Sequence, residues 1–414
     1  MFRLALAGDV ILSRRIANIP TLFPLQQILD QCDLRFANLE MPILQRMGWS
    51  SGTQSGGWLY TTPKVLNDLN QLGINMVSMA NNHSLDWGYE GARATRDFLD
   101  QLDMVHAGYG ENLAEACSPR FFEQGSTRVG LVAATTTFSE EQRAGPQRSD
   151  VPGRPGINAV SHKITCKVSQ QDYETLKRLG EILNIGQATA DNRLFYSGIE
   201  YMSSNTYDIA TCLNEADTIR ILDAIELSAM QADLTILSLH THEIPFADWE
   251  APPEFVQSLC RQAVERGATL VACHGTHTVR GIEVYQGHPI FYGLGNFMFN
   301  DLVLVQPAER YHEFNLGMES GPLALVKAIK NANEFEEAVF WEGLLATVMV
   351  DDGVLSVELY GLALDKDHVA QHGLPRLSHG NQRQSILGRV ARLSEQWDTT
   401  VMIPPDGPAI LTMS

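Results

Sequence analysis

Residues 271–300 read VACHGTHTVRGIEVYQGHPIFYGLGNFMFN. The apolar run 269–272 has the length and composition of a buried strand, and His274 and His277 stand just past its end. Two further apolar runs follow, broken by Gly281, Gly287 and Pro289, and the stretch closes on Gly295-Asn296-Phe297. Imidazoles at the end of a buried strand combine a rigid support with an open loop, which suits a metal-assisted or acid–base site. Cys273 beside His274 reads as a buried strand-end thiol rather than a nucleophile.

Working outward, the same arrangement recurs. Residues 2–7 read as a buried strand ended by Gly8-Asp9, and residues 34–37 as a second strand ending in Asn38-Leu39-Glu40. Residues 74–79 form a third, ending in Asn81-Asn82-His83, with Asp86 close behind. Residues 234–239 form another, ending in His240-Thr241-His242. Amphipathic helices are expected over 22–32, 62–72, 90–102, 214–230, 252–266 and 384–393. This alternation of buried strand and helix, with polar residues at the strand ends, argues for an α/β fold.

Three other segments stand out. Residues 48–57 are Gly/Ser-rich and long enough to be a functional flap. Residues 139–157 are rich in Pro, Gly and Arg and are expected to be irregular, and 158–212 read as a polar insertion with one helix near 173–183, placed to act as a lid. Near the C-terminus, apolar runs 344–350 and 354–362 flank Asp351-Asp352-Gly353, a hairpin signal.

The 414 residues carry 30 Lys plus Arg against 49 Asp plus Glu, a net charge of −19. Such a surface repels phosphate backbones and anionic lipid, which argues against nucleic-acid and membrane partners. No apolar run approaches the ~20 residues that span a bilayer, and the apolar part of the first residues is too short for a secretion signal. The six cysteines form no C-x-x-C pair, so reduced thiols and a cytoplasmic location are expected.

Taken one by one, these polar groups have ordinary explanations as caps, turn residues or hydrogen-bonded histidines. Together, carboxylate, carboxamide and imidazole at five strand ends form an O/N donor set suited to Zn, Mn or Fe. Arg14 and Arg15, soon after Asp9, would suit a substrate carboxylate or phosphate, with a plain surface role as the alternative. Asn38, His242 and Asn296 join Arg14 as candidates for touching substrate; His242 is also a candidate metal donor beside His240, and for Asn296 holding the loop under the histidines is the preferred reading. His288, His312, His368, His372 and His379 read as surface or packing residues, and Trp58 and Tyr60 as core aromatics.

The motifs resemble the CapA (poly-γ-glutamate capsule synthesis) branch of the calcineurin-like metallophosphoesterase superfamily. The resemblance lies in Gly8-Asp9, Asn38-Leu39-Glu40, Asn81-Asn82-His83-Ser84-Leu85-Asp86-Trp87-Gly88, His240, the CHGTH segment 273–277, GIEVYQGHPIFYGLGNF at 281–297 and the loop RAGPQRSDVPGRPG. It implies a four-layer αββα sandwich over residues 1–330, with 158–212 inserted and 331–414 as a C-terminal hairpin and helix packed on the core. It also implies one metal position at Asp9, Glu40 and His277 and another at Glu40, Asn82, His240 and His274. His83 would protonate the leaving group, oriented by Asp86. Four departures stand out: Ile11 where the superfamily has His, Glu40 where it has Asp, His240-Thr241-His242 where the branch has His-Trp-Gly, and His274-Gly275 where a double His precedes the final one.

The expectation is a metal-dependent hydrolase of an amide or phosphoester bond in an anionic or peptide-like substrate, with one or two divalent ions. A metal-free acid–base enzyme such as a peptide Cα epimerase, with Asp9 as base, is a second reading. A non-catalytic capsule-polymer binding or assembly protein is a third.

Overall fold

The strand Phe2–Leu12 lies at the centre of the molecule and runs five residues past the end expected for it. In this computed structural model residues 1–413 are described, apart from 17–19, 47, 53–55, 190–191, 246–247, 301–302, 304 and 333–334. The N-terminal half of Phe2–Leu12 pairs antiparallel with Glu342–Asp351 and parallel with Leu34–Leu39. Its C-terminal half gains a new parallel partner, Asn296–Asn300.

The change of partner has a local cause. The backbone around Gly8 passes so close to Gly295 that a Cβ at Gly8 would lie 1.9 Å from the Gly295 carbonyl oxygen. The register shifts between Leu6 and Asp9 against one neighbour and between Asp9 and Val10 against the other. Leu4 and Leu6 face the core between the sheets, whereas Ala5 and Ala7 face the outer helices. Strict alternation would send Asp9 outward with the alanines; an irregularity moves a side chain to the opposite face. Gly8→Ala is therefore expected to destabilise the protein by on the order of 3 kcal/mol. Urea unfolding checks this, and an unchanged midpoint would contradict the close approach.

Two large sheets result. The first has ten strands, with Leu34–Leu39, Met76–Ser78 and Val105–Ala107 parallel on one side of Phe2–Leu12 and the C-terminal strands antiparallel on the other. The second has six and is built on the parallel strands Thr127–Thr135, Leu234–Thr241 and Leu270–Gly275. Leu4, Leu6 and Phe36 of the first meet Leu131, Ile236 and Leu270 of the second in a shared core. Helices Phe23–Leu29, Pro63–Gln71 and Gly88–Gln101 cover the outer face of the first sheet through Leu25, Leu66 and Leu99. Glu215–Ala229 and Glu254–Glu265 cover the second through Ile221, Ile225 and Leu259. The order is αββα, as the motifs imply.

The C-terminal hairpin forms as its turn residues predict. Glu342–Asp351 and Val354–Leu364 pair antiparallel around Asp352 and Gly353, both in the left-handed region. Gly380–Ser394 is the final helix.

The inserted segment departs from its expected form. Besides the helix Gln170–Leu183 it holds a five-stranded sheet of its own. These strands escape the sequence because they are half-exposed and polar on both faces, so the alternation that reports a strand is weak. Among the described residues, no helix is long and apolar enough to cross a membrane.

Candidate metal centre

The carboxyl ends of the parallel strands from both sheets converge, as ligand sites do in open α/β sheets. Asp9 is fully buried. Its Oδ1 accepts from Asn38 Nδ2 at 2.8 Å and its Oδ2 from the Gly275 amide at 2.9 Å. Gly275 has φ +108°, and a Cβ there would press within 3.0 Å of His240 Cε1 and Thr241 N. Asp9 also lies 3.5 Å from His274 Nδ1 and 3.4 Å from His277 Nδ1. Burial alone would raise its pKa, but the His277 contact and the nearby imidazoles outweigh it and hold the carboxyl below the usual carboxylate range.

Glu40 is the anomaly of the site. It is 0% exposed, and neither carboxylate oxygen has a hydrogen-bond partner. Burial, then the charge of Asp9, pushes it well above the ordinary glutamate value. Its Oε1 faces His240 Nε2 and His242 Nε2 at 3.6 Å each and His277 Nε2 at 3.9 Å. A buried carboxylate without donors is costly unless a cation supplies the missing contact.

The imidazoles are arranged to offer lone pairs. His274 uses Nε2 on Ser238 Oγ at 2.7 Å, which turns Nδ1 toward Asp9 and His240 Nδ1. His277 uses Nδ1 on Asn296 Oδ1 at 2.9 Å, which turns Nε2 toward Glu40. Engaging one ring nitrogen so that the other faces the ion is how metal-binding histidines are oriented. Burial is the main force lowering His240 well below its ordinary value and His274 to about 4, which keeps both rings neutral. His277 goes the other way, to about 9: burial opposes protonation, but Glu40 and Asp9 outweigh it. His277 is also held at φ 58°, a backbone cost of about 1–3 kcal/mol for a non-glycine residue.

Two donor groups emerge: Asp9, His240 and His274 in one, Glu40, His242 and His277 in the other. The resemblance implied Asp9, Glu40 and His277 in one position and Glu40, Asn82, His240 and His274 in the other; Glu40 does lie with His277, whereas Asp9 groups with His240 and His274. His242, a candidate either for substrate or for a metal donor, lies among the donors: its Nε2 is 2.9 Å from His240 Nε2, and its side chain is 31% exposed. Ile11, where the resemblance implied a histidine, lies in the apolar core. His242 supplies the third donor beside Glu40 and His277.

Asn38 and Asn296 each hold another side chain in place. Asn38 is fully buried, with Nδ2 on Asp9 and Oδ1 accepting from Asn81 Nδ2, so it orients Asp9. Asn296 holds His277 and donates to the Phe340 carbonyl, the loop-holding alternative. Asn82 Oδ1 lies 2.9 Å from His240 Nε2. His83 sits beside these ligands, its Nδ1 2.8 Å from Asp86 Oδ2. Burial opposes its protonation, but Asp86 prevails and raises it. Asp86 is pinned in turn by the Leu59 amide, and its carbonyl by the Ser51 amide. The flanks of the 48–57 loop are thus tied to the His83 turn; 53–55 lie outside the described residues.

Arg14 lies apart, its guanidinium on the carbonyls of Val369 and Ala370, and Arg15 pairs with Asp68. Cys273 is buried in the second helix–sheet core, 3.6 Å from Cys260 Sγ.

Sequence reasoning missed Ser238 and Arg280. Ser238 lies two residues before His240 on the same strand face, and strand alternation would have found it. Arg280, 0% exposed, donates from Nε to the Trp249 carbonyl and from Nη2 to the Glu243 carbonyl, tying down the segment that follows His242. No local pattern marks that role.

Residues 3–301 match the family model described as bacterial capsule synthesis protein PGA_cap. The chain belongs to this family. A relative, the uncharacterised protein y4sH of Sinorhizobium fredii, is 32% identical over 97% of this chain and 91% of its own length. The PGA biosynthesis protein CapA of Bacillus subtilis is 22% identical over 71% of the chain, which covers 62% of that relative. A solved structure described as a novel phosphatase, from Mycoplasma pneumoniae, aligns over 87% of this chain and 93% of its own at 13% identity and a TM-score of 0.40.

Proposed function

We propose that this PGA_cap protein is a metal-dependent hydrolase of an amide or phosphoester bond in an anionic or peptide-like substrate of capsule-polymer metabolism. The observation that carries the reading is Glu40: a buried carboxylate with no hydrogen-bond donor, surrounded by imidazole nitrogens. Asp9, His240 and His274 would hold one ion, and Glu40, His242 and His277 a second. An ion of Mn, Zn or Fe there supplies Lewis-acid polarisation and activates water.

The chain's own residues supply the rest. His83 gives its proton to the departing nitrogen or oxygen as the bond to carbon or phosphorus breaks. Asp86 keeps that imidazole in one tautomer and stabilises its charged form. Ser238, Asn296 and Asn38 hold the donors in place before substrate arrives. Asp9 already accepts two hydrogen bonds and stands below the ordinary carboxylate range, so it is poorly suited to serve as the base of a metal-free epimerase.

Metal analysis of the purified protein, combined with turnover of γ-glutamyl amide and phosphoester substrates with and without chelator, tests the reading. One or two bound ions are expected, with activity lost on chelation and restored by Mn. Activity that survives chelation of a metal-free protein would overturn the hydrolase in favour of acid–base chemistry. Metal-replete protein that turns over neither bond type would favour a binding role.

A further inference from the structure

We infer that a second copy of this chain docks on the free edge of the inserted sheet, through antiparallel self-pairing of Gly186–Ala188 about Gln187. The sheet's five strands run in the order Gly186–Ala188, Arg193–Tyr196, Ile199–Ser203, His162–Val168 and Asp208–Leu213, so the first and last are its edges. The last is seated against the helix Glu254–Glu265, with Leu213 packed on the cluster that holds Phe255. The first is open to solvent: residues 181–189 are exposed throughout, apart from half-buried Gly186. Sheet edges are commonly guarded by a charge, a proline or a bulge. Gly186-Gln187-Ala188 has none of these.

The edge is also apolar, for a local reason. The helix Gln170–Leu183 ends on Asn184 in the left-handed region, φ 56°, with the Asn184 amide on the Glu181 carbonyl and the Ile185 amide on the Gly180 carbonyl. In such a cap the residue at the place of Ile185 packs on the side chain at the place of Gly180. A side chain cannot stand there, because a Cβ on Gly180 would lie 2.8 Å from Gly186 Cα. Ile185 therefore lacks that contact, and it joins Ile182, Leu183, Phe195 and Ile199 at between 43% and 66% exposed.

Three observations select a second copy as the occupant. The first is register. The Thr189 amide donates to the Arg193 carbonyl and the Ser197 amide to the Ile185 carbonyl, so residues 185, 187 and 189 use their backbone groups on the neighbouring strand. Gly186 and Ala188 turn theirs outward. A dyad at Gln187 sets Gly186 of one copy opposite Ala188 of the other, and both pairs exchange amide and carbonyl. The second is the distribution of apolar groups: Ile182, Leu183 and Ile199 stand on the helix's side of the sheet, and Phe195, paired with Gln187, on the other. A lipid surface would cover one side only, and a lone peptide strand would leave the helix end bare; a copy brings an equivalent helix and sheet. The third is charge. Residues 158–212 carry five Lys plus Arg against six Asp plus Glu, net −1 in a chain of −19, so two copies repel least here. Exposed Arg178 and Glu181 offer opposite charges for exchange across the dyad.

Sedimentation velocity of the full chain from about 1 to 300 µM tests the proposal. The interface is small against the ~800 Å² per partner of a standard complex, so a dimer half-formed at about 10–100 µM is expected. Ala188→Pro removes an outward amide and spares the inward ladder. It should weaken the dimer at least about tenfold, with the melting temperature at the lowest concentration unchanged. Gln187→Lys and Gln187→Glu each set like charges face to face and should each weaken association about threefold, whereas their equimolar mixture should associate at least as tightly as wild type. A single-chain mass at every concentration overturns the proposal, and sedimentation of that single chain with phosphatidylcholine vesicles would assign the strip to lipid instead. A dimer that neither Ala188→Pro nor the Gln187 substitutions alter overturns it as well. Should Ala188→Pro misfold, the charge-swap mixture at exposed Gln187 decides alone.

Discussion

Glu40→Gln abolishes metal binding in the second donor group and raises the melting temperature of the metal-free protein. The two effects have one cause. In the absence of an ion, Glu40 is a fully buried carboxyl group with neither oxygen hydrogen-bonded, and burial pushes its pKa well up. Folding then costs free energy whether the group stays charged or takes up a proton, about 1–3 kcal/mol, and a side chain that does not ionise avoids that cost. The carboxamide keeps the shape but removes the charge that balances the ion. Wild-type protein, in contrast, gains about 2.7 kcal/mol at a metal concentration of 100 Kd. Thermal melts with and without Mn should therefore cross: the variant melts higher in chelator, the wild type higher in metal. Turnover should fall on the order of 10³-fold, the scale of losing an electrostatic stabiliser from a closed site. A variant that melts below wild type in chelator would mean that Glu40 has a structural partner instead.

His83→Ala lowers kcat by about 10²–10⁴-fold while leaving the bound metal in place. His83 is raised by Asp86 at 2.8 Å and so carries a proton to lose. The loss should depend on the leaving group. A p-nitrophenolate or p-nitroanilide departs with little need of a proton, so activated substrates should lose far less rate than simple alkyl amides or esters. Asp86→Asn should reproduce the trend more mildly, because the amide still reaches the Leu59 amide but no longer stabilises an imidazolium. Equal losses for activated and unactivated substrates, at constant metal content, would remove His83 as the acid.

Much of this architecture was legible locally. The strands Leu34–Leu39, Leu234–Thr241 and Leu270–Gly275 are continuous apolar runs because they are buried on both faces. The polar residues at their ends were visible for the same reason: each interrupts such a run. The hairpin was legible from Asp352-Gly353, whose left-handed backbone is that of a tight turn. The small inserted sheet was not, because its strands are exposed enough to mix polar and apolar residues on one face. Asn38 and His242 could not be told apart for a comparable reason. Both follow or end an apolar run, and only the position of each side chain among the others separates an orienting amide from a metal donor.

The amino-acid sequence by itself determined which elements form and that carboxylates, carboxamides and imidazoles cap them, because periodicity and turn chemistry act over a few residues. It also carried the family motifs. The tertiary structure alone decided which of those caps meet. Asp9 reaches Gly275, 266 residues away, through a register shift beside Gly8 that local alternation does not encode. Glu40 is left without a donor only because two sheets close around it. Such placements are set by strand pairing and sheet packing between segments hundreds of residues apart, which no window of sequence contains.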